Sequence, residues 1–75
     1  MYPNPANNVL YVNVSKRAEE LYKLSIIDIY GNKLREYNNI NSSSYSIDIS
    51  DMAKGIYFIK IKLDDFYHVE KLIKQ

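Results

Sequence analysis

The 75-residue chain has no cysteine, no tryptophan, a single histidine, two glycines and two prolines. Without cysteine there is no disulfide framework, no thiolate zinc site and no cysteine nucleophile, so stability must come from packing alone. Gly31 and Gly55 lie 24 residues apart, which excludes a glycine-rich phosphate cradle. His68 alone would have to serve any nucleophile–histidine–acid arrangement, and a surface or edge histidine is the simpler reading. Asp48, Asp51, Asp64 and Asp65 do not follow the D-x-D-x-D-G spacing of a calcium loop; turn formation and solubility account for them. No catalytic residue, cofactor or metal ligand is therefore assigned. No apolar run approaches the roughly 18 residues of a membrane span. The 10 Lys+Arg against 9 Asp+Glu, net charge +1, offer no electrostatic reason to expect nucleic acid or an anionic membrane. The length limits the chain to one domain, residues 1–75, burying only about 60% of its unfolded surface and sitting at the low end of the usual ~5–15 kcal/mol of stability. Nothing at the amino end resembles a secretory signal, so the chain reads as cytoplasmic or as a fragment.

Ten isoleucines and eight tyrosines against three alanines favour pleated, half-buried strands. In residues 9–14, Leu10, Val12 and Val14 line one face of a strand, and the polar residues 15–20 form a connecting loop. The apolar stretch 21–30 has the length of a short helix, but its β-branched content and the turn signal Gly31-Asn32 favour a central strand leading through a hairpin into residues 33–37. The Asn/Ser tract 38–44 reads as an exposed, mobile loop. Residues 45–50 place Tyr45, Ile47 and Ile49 on one face. Residues 50–55 make a tight turn, with Ser50 or Asp51 capping its start and Gly55 left-handed at its end.

Residues 56–63 alternate most clearly, with Tyr57, Ile59, Ile61 and Leu63 inward and Lys60 and Lys62 outward. After a reversal at Asp64-Asp65, residues 66–74 form a last strand whose apolar phase slips between Val69 and Leu72, predicting a bulge. Six strands with short connections and no long helix predict an all-β fold: a small antiparallel sandwich of six strands, or seven if one forms near Tyr2. Tyr2, Tyr11, Tyr30 and Tyr67 are free of core duty and open a sugar-stacking reading. Lys60, Lys62, Lys71 and Lys74 make either a positive patch or protection of exposed strand edges.

Four stretches in order carry the argument further: Tyr2-Pro3-Asn4-Pro5-Ala6-Asn7; Ile26-Ile27-Asp28-Ile29-Tyr30-Gly31-Asn32-Lys33; the run 47–60 containing Asp51-Met52-Ala53-Lys54-Gly55-Ile56-Tyr57; and Lys71-Leu72-Ile73-Lys74-Gln75. Together they resemble the type IX secretion C-terminal sorting domain over the whole chain. The resemblance implies an immunoglobulin-like sandwich at the end of a larger secreted protein of a Gram-negative bacterium, fused to an N-terminal cargo. It implies passage through the periplasm, recognition by the outer-membrane translocon, removal by a sortase, and a domain that performs no chemistry itself. Pro3 and Pro5 keep the entrance extended, and Gly31 and Gly55 read as architectural. Recognition is expected at Lys71, Leu72, Ile73 and Lys74 with Lys60 and Lys62, as charge and as a strand edge open to β-augmentation. Replacing Lys71 and Lys74 by alanine is then expected to abolish export and leave the thermal midpoint nearly unchanged.

Met52 stands where the family more often has leucine, Asn32 where a basic residue is common, and Glu70 sets a negative charge beside Lys71. Only Met1 precedes the Tyr-Pro-Asn-Pro motif, so processing is not expected of this chain as it stands. The alternative is a non-catalytic adhesion module binding carbohydrate or protein. Exposed strand edges also leave a homodimer open.

Overall fold

The computed structural model describes residues 7–17 and 19–75. Its elements are β1 (Val9–Asn13), β2 (Tyr22–Asp28), β3 (Lys33–Ile40), β4 (Ser44–Asp48), β5 (Gly55–Leu63) and β6 (Phe66–Lys74). β1 pairs antiparallel with β4, and the other four form an antiparallel sheet in the order β3-β2-β5-β6. The expected all-β sandwich is thus present, with six strands among the described residues; the strand expected near Tyr2 lies outside them.

Period-two alternation turns one face of each sheet inward. Leu10, Val12 and Ile47 from the small sheet, joined by Ile49, close over Tyr22, Leu24, Ile26, Tyr57, Ile59, Ile61 and Leu72 from the large one. β2 lies between two neighbours, as its apolar run predicts. The sheets are also tied at their margins. The rings of Tyr37 on β3 and Tyr45 on β4 meet edge-on at 5.8 Å, Arg35 donates to the Asp48 carbonyl at 2.7 Å and pairs with Asp51, and the Tyr22 hydroxyl donates to the Ser42 carbonyl at 2.8 Å.

Several local expectations are overturned. Residues 38–40 are not a mobile loop but the end of β3: Ile40 is 6% exposed, pairs with Tyr22, and leaves only residues 41–43 as connection. Burial of one isoleucine outweighs the turn preference of its neighbours, and Asn39 absorbs the irregularity at φ 55°, a conformation asparagine tolerates. The bulge predicted in β6 is absent, since β5 and β6 pair without interruption from Gly55↔Lys74 to Leu63↔Phe66. Register shifts occur instead between β2 and β3.

The turn at Gly31-Asn32 is longer than two residues, since β2 ends at Asp28 and β3 begins at Lys33. The Asp28 carboxylate organises it by accepting from the backbone N–H groups of Tyr30 at 2.9 Å and Asn32 at 2.8 Å and from the Asn32 side chain at 3.2 Å. Gly31 at φ +87° closes the loop by donating its N–H to the Asp28 carbonyl at 3.1 Å, the geometry of a type I turn followed by a glycine bulge. The Asn32 backbone bond, aided by the other donors, holds the Asp28 carboxyl below its ordinary range. A depressed carboxyl pKa contributes stability above the unfolded value and loses it as pH falls through the folded value. Asp28→Ala is accordingly expected to lower the thermal midpoint at pH 7. The gap to the parent should close on acidification below the ordinary aspartate range, as followed by circular dichroism melts. A gap independent of pH would exclude a role for the charge.

Asp48, not Ser50 or Asp51, caps the next turn, accepting from the Ser50 backbone at 2.9 Å and its hydroxyl at 2.7 Å. Gly55 opens β5 at φ +153°, an extended conformation in the positive-φ half rather than the left-handed helical one expected for it.

Candidate functional site

The expected recognition residues sit on the β5–β6 hairpin, where unbroken pairing fixes the face of each side chain. Tyr57, Ile59 and Ile61 of β5 point to the core, and so does Leu72 opposite Tyr57. Lys60, Lys62, Lys71 and Ile73 therefore share the outer face with Ile56, Phe58, Tyr67 and Val69. Leu72 is fully buried and Lys74, only 8% exposed, lies on the inner face opposite Gly55. The Lys74 stem is covered, and its ammonium donates to the Gln75 carbonyl at 2.9 Å.

The six residues thus divide by face: Lys60, Lys62, Lys71 and Ile73 are presented outward, whereas Leu72 and Lys74 anchor the strand. This corrects the expectation of four clustered lysines. Simple alternation separates Lys71 from Lys74, which a bulge would have brought to one side. Lys74→Ala removes buried stem packing and is expected to cost of order 1 kcal/mol, so its replacement is no longer silent in a melt.

Tyr67 is the residue that sequence reasoning left unconnected to the lysines. Its ring lies 4.5 Å from the Lys60 ammonium and 5.4 Å from that of Lys62, measured to the centroid, close enough for cation–π attraction. The available signal was the spacing across the Asp64-Asp65 turn, which pairs Lys62 with Tyr67 once the hairpin is drawn. Tyr11 faces out from the two-stranded sheet beside Ser46, and Tyr30 projects from the β2–β3 turn. These rings and Tyr67 do not form one stacking platform. Tyr57 is buried with its hydroxyl donating to the Ala53 carbonyl at 2.7 Å. The motif residues Tyr2, Pro3, Asn4 and Pro5 lie outside the described residues, whereas Asp28, Gly31 and Gly55 occupy the turn and strand-start positions described above.

The inner face of β6 is less covered beyond Leu72. Phe66 and His68 are exposed there, and His68 Nε2 lies 3.7 Å from Glu70 Oε1. At the adjoining reversal Asp64 takes φ 54°. Hydrogen bonding and repulsion from Glu20 raise the Asp64 pKa, while the Arg17 backbone N–H lowers that of Glu20. The two carboxyls share one site, and the N–H favours charge on Glu20.

The model of the family described as the secretion system C-terminal sorting domain matches residues 1–75. The chain belongs to that family. Membership makes this sorting domain an element of type IX secretion, directing export to the medium or the cell surface. No curated protein matches the chain. The sorting domain contains no helix long and apolar enough to cross a membrane among the described residues.

Proposed function

We propose that the sorting domain is the C-terminal address of a cargo protein fused to its N-terminal side, acting as one folded unit over residues 1–75. The unit crosses the periplasm with its cargo, is recognised by outer-membrane translocon components and is then removed by a sortase. The cargo supplies any activity. The observation that carries this reading is the family match along the entire chain. Recognition falls on Lys71 and Ile73 with Lys60 and Lys62, supported by their common outward face, while Leu72 and Lys74 hold the strand in position.

The test fuses a signal peptide and a fluorescent reporter ahead of residues 1–75 and compares translocon-competent with translocon-deficient cells. Reporter in the medium or on the surface of competent cells alone is the expected result; periplasmic retention of folded fusion in both strains would refute the reading. Within this assay Lys71→Ala is expected to reduce export at least several-fold with an unchanged melt. Lys74→Ala is expected to lower the melt first, and export only in proportion to the folded fraction. Normal export of a folded Lys71→Ala fusion would remove Lys71 from the recognition surface.

A further inference from the structure

A net charge of +1 conceals a local concentration of positive charge on the outer face of the four-stranded sheet. Lys23 of β2 stands directly opposite Lys62 of β5, and Ser25 directly opposite Lys60. Like charges placed opposite each other in a ladder repel and destabilise the sheet. Glu36 is, among the described residues, the only carboxylate lining the hollow between these strands, and it is paired with Lys33. Among the described residues, no carboxylate forms an ion pair with Lys23, Lys60 or Lys62; Glu36, whose carboxyl is held down first by its hydrogen bond with Lys33, feels Lys23 only as a weaker, longer-range attraction. Tyr67 holds the Lys60 and Lys62 ammoniums beside its ring, so two of the three charges are already gathered.

We propose that this hollow, about 170 Å³ in volume, is a binding site for a phosphoryl group, held by the ammoniums of Lys23, Lys60 and Lys62 above Ser25. Ser25 is 4% exposed and lines the hollow. A small hydroxyl side chain between long lysines leaves depth for an oxyanion and supplies a hydrogen-bond donor. Three ammoniums around one small volume match a compact, multiply charged group, whose second ionisation near pH 6 gives roughly two negative charges at neutral pH. The carboxylates of an acidic peptide are singly charged and separated along a chain, and planar carboxylates are better matched by the arginine fork than by lysine. Tyr67 is engaged by ammoniums rather than offered as a platform for a base or sugar ring. A bound phosphoryl group would neutralise the Lys23–Lys62 repulsion. The site shares Lys60 and Lys62 with the proposed recognition face, but phosphoryl binding by the chain is measured without export and stands or falls without it.

The test is an amide NMR titration of the 75-residue chain with inorganic pyrophosphate, at constant ionic strength against sodium chloride. Saturable shifts centred on Lys23, Ser25, Lys60 and Lys62 are expected. The double variant Lys60→Gln, Lys62→Gln should weaken binding at least tenfold while core resonances stay in place. Lys23→Gln, across the ladder, should weaken it several-fold and decides the matter if the double variant does not fold. Glucose 6-phosphate and phosphatidic acid vesicles in parallel distinguish a sugar phosphate or lipid headgroup from free phosphate as the source. No saturable shift with any of these, shifts centred elsewhere, or tighter binding of a tetraglutamate peptide would overturn the proposal, the last by assigning the face to an acidic polypeptide.

Discussion

Leu24→Ala is expected to destabilise the sorting domain by about 3 kcal/mol or more, within the range of roughly 2–5 kcal/mol for truncation of a buried leucine. Leu24 is 0% exposed, sits on the interior strand β2, and lies in the ladder between Ile61 of β5 and Tyr37 of β3. Neighbours on both sides are held by backbone pairing, so the lost methyl groups leave a cavity that cannot easily collapse. A domain this short has about 5 kcal/mol to lose, and one substitution removes most of it. The measurement is urea unfolding followed by circular dichroism, with Ile59→Val, expected to cost about 1 kcal/mol, as the conservative comparison. A Leu24→Ala loss below that of Ile59→Val would mean that the core does not close around β2 as described. A translocon that reads the folded domain should also export the Leu24→Ala fusion poorly, whereas a reader of the linear carboxyl-terminal segment should not distinguish it.

The second large effect is expected at Gly55, where both alanine and valine should cost about 1–3 kcal/mol, the penalty of a backbone conformation nearly reserved for glycine. A Cβ there would meet nothing within 4 Å, yet φ is +153°. The cost is therefore conformational rather than steric crowding by neighbours, and the two substitutions should cost similar amounts despite their different sizes. Chemical synthesis with D-alanine at position 55 provides the decisive comparison, because a D-residue favours positive φ and should restore or exceed parental stability. Equal destabilisation by D- and L-alanine would show that the position is sensitive to volume instead. Gly55 opens the strand that carries Lys60 and Lys62 and lies opposite Lys74, so strain there also bears on the register of the hairpin.

Much of the fold was legible because its strands are locally consistent. In residues 59–63 apolar side chains alternate with Lys60 and Lys62, which face out, and carrying that alternation back along the strand gives the inward set Tyr57, Ile59 and Ile61. The apolar run around Ile26 and Ile27 likewise announced an interior strand. Legibility failed where one residue opposed its surroundings. Ile40 lies in an Asn/Ser tract whose local preference is for turns, and it joins β3 because the core has a place for it beside Tyr22. Lys74 failed in the opposite sense: its charge suggested exposure, but the pleat carries it inward, two residues beyond Leu72 and opposite Gly55.

By itself the sequence determined the all-β class, the succession of strands, the inward set on β5 and, through four motifs in order, the sorting-domain family. These are properties of alternation and turn chemistry, which act over a few residues, or of a motif order that needs no coordinates. Only the tertiary structure decided which lysines lie together. Cross-strand register sets Lys23 against Lys62 and brings the Tyr67 ring beside the ammoniums of Lys60 and Lys62, while assigning Lys71 and Lys74 to opposite faces. Residues from β2, β5 and β6 become neighbours through sheet order, and sheet order follows from how two unequal sheets bury their apolar faces, a balance that no short stretch of chain contains.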